Sequence, residues 1–283
     1  MPIYLIAKDG VCFQRIECEN RRCFLFGLEV LNMHRYFEIN ESGHNIRCKI
    51  YFQNLKDIRR IVLFVHGFGG HKDNGAAEKF ATRLITKYKD CAMVTFDLPG
   101  HGSDVKKGFH LDDCMTYLRL VSEHICQKYQ TEEIYSYATS FGGYLTLKYI
   151  LENGNPFKKI VLRCPAVNVY DVMTTTIMSP ADFERLEKGK EVPVGFDRKV
   201  LIGMPLLEEM KENDIRKIDF IDFAEDILII HGTEDEIVRF DVVKEFADNN
   251  IREFVPVEGA DHRFRNERKM EIAIKTILDF YAL

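Results

Sequence analysis

The hydrophobic pattern of this chain repeats one unit: a short apolar run, a break, then a polar stretch with apolar residues at helical spacing. Ile61–Val65 (IVLFV) reads as a buried strand. Ala76–Tyr88 reads as the helix after it, with Ala77, Phe80, Ala81, Leu84 and Ile85 on one face. Ala92–Phe96 followed by Asp112–Tyr129 repeats the unit, as does Glu133–Ala138 followed by Gly142–Glu152. Further strands are predicted over Ile160–Arg163, Ile227–Ile230 and Glu253–Val257, and a final helix over Arg268–Ala282. Strands alternating with helices predict an α/β fold with a mostly parallel central sheet and helices on both faces. The strands are continuously apolar rather than alternating, which fits a sheet covered on both sides.

Two regions break this rhythm. Before residue 60, Arg35–Ile39 and Ile46–Phe52 flank the turn-rich Asn40-Glu41-Ser42-Gly43-His44 and predict an antiparallel hairpin at the sheet edge. Residues 1–34 hold further strand-like pieces, Pro2–Ala7 and Cys23–Leu31, and read as a β-rich N-terminal extension. Residues 168–223 carry a Thr/Met-rich segment, then charged residues, then Pro193 and Gly195. Short helices are expected near 180–188 and 205–213, with no strand and crossover, so this stretch reads as a small helical cap inserted after the sixth strand. The α/β core would then be 35–167 and 224–283.

The chain has 283 residues, 46% of them hydrophobic and 29% charged, with a net charge of −5. A chain of this length buries about three quarters of its unfolded surface and needs no disulfide or metal staple. The mild negative charge argues against a nucleic-acid partner held on a basic face, and no apolar run is long enough for a membrane span. The first residues, MPIYLIAKDG, show no basic segment leading into a long apolar one, so no secretory leader is predicted. Cys12, Cys18, Cys23, Cys48, Cys91, Cys114, Cys126 and Cys164 are scattered without metal-binding spacing. Reduced thiols in a cytoplasmic protein are the expectation, with no metal and no cofactor.

Four motifs then give the pattern a chemistry. Ala138-Thr139-Ser140-Phe141-Gly142-Gly143 lies between a predicted strand and a predicted helix. A serine on so sharp a turn is lifted above the sheet, and small residues two before and two after it let strand and helix close on each other. Ala138 stands where glycine is usual, and a helix N-cap is the other role that would suit Ser140. His231-Gly232-Thr233-Glu234-Asp235-Glu236 follows the Ile227–Ile230 strand and offers Asp235 as an acid, with Glu234 and Glu236 as rivals. Gly259-Ala260-Asp261-His262 follows the Glu253–Val257 strand and offers His262 as a base, a surface histidine being the plainer reading. Ser140, Asp235 and His262 fall in the chain order of a hydrolase triad. His66-Gly67-Phe68-Gly69-Gly70 follows the first core strand and can aim an N–H at a bound carbonyl, so the Phe68 and Phe141 amides are the candidate oxyanion donors. His66, Asp97 and His101 read as structural.

On HGFGG (66–70), DLPGHG (97–102), ATSFGG (138–143), HGTED (231–235) and GADH (259–262), the chain resembles the α/β-hydrolase superfamily over about residues 35–282. It looks most like the serine-aminopeptidase and monoacylglycerol-lipase clan. Within that clan it is similar to cinnamoyl and feruloyl esterases, which share a modest insertion after the sixth strand and a G-x-D-H ending. The resemblance implies a serine esterase acting on a small-molecule ester with a short-chain or aromatic acyl group. Gly67, Gly69, Met173 and Ile177 are the candidate substrate contacts, with Phe68, Phe141 and Met178 as further candidates for an apolar lining. Thioesterase, peptidase or C–C bond hydrolase activity, or a non-catalytic binding role, are the alternatives. The oligomeric state stays open, a homodimer included.

Overall fold

The computed structural model describes residues 33–283 apart from 105, 106 and 252. The expected N-terminal extension, with Cys12, Cys18 and Cys23, lies outside the described residues apart from its last two positions.

The sheet begins with the antiparallel pair β1 (His34–Glu41) and β2 (His44–Phe52), joined by the predicted turn at Ser42-Gly43. The core strands are β3 (Arg60–Val65), β4 (Cys91–Phe96), β5 (Glu133–Thr139) and β6 (Ile160–Arg163). Two short strands, β7 (Val192–Val194) and β8 (Val200–Ile202), form a separate antiparallel hairpin. The last strands of the main sheet are β9 (Ile227–Gly232) and β10 (Glu253–Val257). The eight-stranded order is β1-β2-β4-β3-β5-β6-β9-β10, with parallel pairing from β4 onward. β3, β4, β5, β6 and β9 are buried along almost their whole length, which explains their unbroken apolar runs.

Helices cover both faces. On one face α1 (Gly75–Lys87) and α8 (Glu267–Tyr281) pack their apolar stripes on Val62, Phe64, Val161 and Leu228. On the other, α2 (Leu111–Tyr129), α3 (Phe141–Asn153) and α7 (Phe240–Asn250) meet Leu63, Val65, Leu162 and Ile229. α7 is not among the predicted helices, although Val243, Phe246, Ala247 and Asn250 are buried at i, i+3, i+4 and i+7.

Between β6 and β9 run α4 (Val169–Val172), a π-helical turn over Met173–Ile177, α5 (Pro180–Glu187), the β7–β8 hairpin and α6 (Met204–Glu212). The two expected short helices are present. The strands are a departure from the expectation of helices alone: Pro193 lacks a ladder N–H, so a run containing it does not announce itself as a strand. Among the described residues no helix is long and apolar enough to cross a membrane, and Cys48, Cys91, Cys114, Cys126 and Cys164 are free.

Candidate active site

Parallel strands deliver their carboxyl ends to one edge of the sheet, so the loops after β3, β5, β6, β9 and β10 gather there. Ser140 sits at the junction of β5 and α3 with φ 53° and ψ −119°. That backbone costs a non-glycine residue about 1–3 kcal/mol and persists only where its surroundings enforce it. Three bonds do so. The Ser140 N–H donates to the Arg163 carbonyl at 3.0 Å, and the Ser140 carbonyl accepts from Gly143 at 2.9 Å and Ala166 at 3.1 Å. The small-residue rule has a direct cause at Gly142, where a Cβ would lie 2.3 Å from the Val65 carbonyl oxygen. Ala138 is fully buried between Val65 and Leu162 in the sheet, so its methyl group is accommodated there. Ser140 makes no side-chain cap bond to α3, which removes the support for a plain N-cap role.

Asp235 lies in the turn after β9 with its side chain wholly buried. Oδ1 accepts the backbone N–H groups of Ile237 at 2.9 Å and Val238 at 2.8 Å, and Oδ2 faces Nδ1 of His262 at 2.8 Å. Burial pushes the Asp235 carboxyl up, but hydrogen bonds from His231 and His262 outweigh it and hold the group well below the usual carboxylate range. With Nδ1 donating to Asp235, the His262 Nε2 is left as the acceptor. The rivals are placed elsewhere: Glu236 accepts the His262 backbone N–H at 3.0 Å, not its ring.

The HGFGG loop is pinned by its own histidine. His66 Nε2 accepts the Leu98 N–H at 3.1 Å, so Nδ1 carries the proton and donates to the Gly67 carbonyl at 2.9 Å. Complete burial lowers the His66 pKa well below its ordinary value, and the neighbouring His101 adds to this. His66 is therefore a neutral brace. The Gly70 N–H donates to the Gly67 carbonyl at 2.9 Å, closing a turn with Phe68 and Gly69 at its centre and Gly69 at φ +74°. Phe141 opens α3, where a helix leaves its first N–H groups without intrahelical acceptors.

These loops enclose a cavity of about 330 Å³ whose walls include Ser140 and His262. Gly67, Phe68, Gly69 and Ile177 line it as expected. Met173 does not. It is buried in the core one turn away from Ile177, as is Met178, and Phe141 turns its ring into the same core.

Three features carried no sequence signal strong enough to find them. The turn of the β7–β8 hairpin, Gly195–Arg198, walls the cavity. Arg163 ends an otherwise apolar strand and is buried. It donates from Nη1 to the Arg263 carbonyl at 3.2 Å, and its guanidinium lies 5.0 Å from the Phe264 ring centre. It thus ties the serine turn to the histidine loop. Behind the acid, His231 Nε2 faces Asp235 Oδ2 at 3.2 Å and the Val238 carbonyl at 3.0 Å. Cys164 joins His231 and Asp235 in a cluster with donor atoms within 4.8 Å. Burial raises the Cys164 thiol well above its ordinary pKa, so it stays protonated and suits a neighbour of the carboxylate better than a metal ligand.

Comparison with known proteins bears out the fold. Residues 56–188 match the family described as serine aminopeptidase, S33, and the fold matches solved hydrolases over most of both chains. The chain has the α/β-hydrolase fold. Est1E from Butyrivibrio proteoclasticus, solved with ferulic acid bound, is 18% identical with a TM-score of 0.66, covering 87% of this chain and 100% of that one. A soluble variant of the Saccharomyces cerevisiae monoglyceride lipase, in complex with a substrate analogue, is 13% identical with a TM-score of 0.67, covering 92% and 98%. The mouse alpha/beta hydrolase domain-containing protein 10 is 16% identical with a TM-score of 0.64, covering 88% and 98%. A search of curated proteins gives no match. At these identities the structural likeness is one of fold.

Proposed function

We propose that the protein hydrolyses carboxylic esters with short-chain or aromatic acyl groups through a Ser140–His262–Asp235 acyl-enzyme mechanism. The observation that carries this reading is the pairing of a strained, exposed-edge serine with a histidine fixed by a buried carboxylate, both on one cavity wall.

Ser140 Oγ attacks the ester carbonyl carbon while His262 Nε2 takes its proton. Asp235 holds the ring orientation and stabilises the imidazolium that forms. The tetrahedral oxyanion rests on the Phe68 and Phe141 amides, each worth roughly 3–4 kcal/mol to the transition state. The C–O bond to the alcohol then breaks, and His262 gives its proton to the departing oxygen. Water repeats the sequence on the acyl-Ser140, releasing the acid and restoring Ser140. Residues 168–223 act as a cap whose hairpin turn and Ile177 bound the acyl or alcohol group. The ferulic acid bound to the similarly folded Est1E supports an aromatic acyl group.

The test is hydrolysis of p-nitrophenyl esters from acetate to palmitate together with methyl ferulate, with Ser140→Ala alongside. Turnover of short or feruloyl esters that vanishes in the variant is the expected result. The serine aminopeptidase match favours one second reading, a peptidase. Release of p-nitroaniline from aminoacyl anilides without ester turnover would decide for it.

A further inference from the structure

The charge on the cavity wall is not used by acyl transfer. Among the described residues, three arginines, Arg163, Arg198 and Arg263, and a single carboxylate, Asp197, line it. This local excess of positive charge lies within a chain of net charge −5. Arg163 is bonded to the Arg263 carbonyl and lies over Phe264. Arg263 is paired with Asp197 and lies 5.8 Å from the Phe196 ring centre. The hairpin turn therefore commits Phe196 and Asp197 to one arginine and leaves the next residue, Arg198, with no ion pair or side-chain hydrogen bond among the described residues.

Arg198 stands beside the reacting groups. A Cβ built on Gly69 would lie 3.1 Å from the Arg198 carbonyl oxygen and 3.9 Å from its Cβ, so the turn abuts the loop that carries the Phe68 amide. After burial, the Arg198 charge is the next influence lowering the His71 pKa, which places the guanidinium near a second wall residue. Arg163 and Arg198, neither paired with a carboxylate among the described residues, put two like charges on a concave wall, and a cleft lined by one sign of charge focuses potential into it.

We propose that the substrate carries an anionic group, a carboxylate in the simplest case, which Arg198 receives beside the Phe68–Gly69 loop. This rests on the ester reading above and names its substrate class. It also separates the esterase from the peptidase reading. An aminoacyl substrate presents an ammonium group, and the one carboxylate that the described residues place on the wall is already held by Arg263.

The experiment compares two matched pairs at low ionic strength. The mono-4-nitrophenyl ester of hexanedioic acid against 4-nitrophenyl hexanoate puts the anion on the acyl side. The 4-acetoxybenzoate ion against its methyl ester puts it on the leaving side. Each kcat/KM ratio is corrected for the uncatalysed rates. A preference for the anion of about tenfold or more in one pair is expected, marking which side Arg198 reads. Arg198→Met should bring that ratio near one and Arg198→Lys should restore most of it. Ratios of one in both pairs, or a ratio unchanged in Arg198→Met, overturn the proposal. Should the folded protein turn over none of these esters, the ester reading falls by itself. The anion site is then decided by calorimetric binding of monomethyl hexanedioate and methyl hexanoate to Ser140→Ala protein, where equal affinity overturns it.

Discussion

The loops at the strand ends and the 168–223 insertion meet at one cavity, yet they are held by different forces. Half-buried Ser140 and the buried side chains of Asp235 and His66 are fixed by hydrogen bonds to the backbone. The hairpin turn is held by two three-residue strands and by exposed side chains, with Phe196 47% exposed and the Arg263–Asp197 pair in solvent. Buried, backbone-bonded geometry resists adjustment, because any change leaves polar groups unpaired. Exposed contacts are each worth little and can be exchanged. The proposed chemistry therefore sits in the rigid region and the proposed substrate choice in the adaptable one. Substitutions in the two regions should differ in kind.

The largest effect is expected at the acid. Asp235→Asn keeps the shape and can still accept the Ile237 and Val238 amides, but it favours the wrong His262 tautomer. We expect kcat to fall by about 10⁴-fold with the circular dichroism spectrum unchanged. Near-normal turnover would move the acid to another residue, against the placement of Glu236 on the His262 backbone.

That same residue shows what a sequence can carry. Asp235 and His262 follow apolar strands, and strand ends can be read locally, so the pairing of these two residues and most of the sheet are legible in the sequence. α7 lies outside the predicted elements although its apolar spacing is present in the sequence. Met173 and Ile177 are both candidate substrate contacts by sequence, and only Ile177 reaches the cavity. The chain winds there as a π-helical turn, so helical periodicity does not say which residue faces inward. Arg163 was beyond reach for another reason: its guanidinium acts on a carbonyl 100 positions away, and no local pattern encodes that.

A smaller effect, on stability, is expected where strand and helix close. Gly142→Ala drives a methyl group against the Val65 carbonyl and a backbone that has no room to yield. A loss of about 2–3 kcal/mol by denaturant unfolding is expected. An unchanged midpoint would show that the serine turn can relax, contradicting the rigidity assigned to it.

The pH dependence of stability tests the same region through His101. Its ring is 1% exposed, and burial brings its pKa down to about 4. The unfolded chain binds a proton near pH 6.5 and the folded chain does not, so this contribution is intact above about pH 6.5 and is lost as pH falls toward 4. Between pH 7.5 and 5 the protein should lose about 2 kcal/mol from this group. His101→Asn, whose amide can still reach the Pro99 carbonyl, should flatten that slope. A slope equal to wild type would mean that other histidines carry it, His66 first.

The smallest effect belongs to the insertion, and it is the one that separates the regions most cleanly. Asp197→Asn removes the one carboxylate that the described residues place on the cavity wall and releases Arg263. An exposed pair contributes little to folding, so the thermal midpoint should stay within about 1 °C of wild type. The cavity gains a net positive charge, and the anionic member of the better ester pair should gain about two- to fivefold in kcat/KM, an advantage that fades as salt screens it. The neutral member carries no charge for Arg263 to meet and should change less. A fall in midpoint comparable to that of Gly142→Ala would place the hairpin turn with the strand-end loops, as part of the framework. A gain shared equally by neutral and anionic esters would trace it to loosened packing of the turn and not to charge.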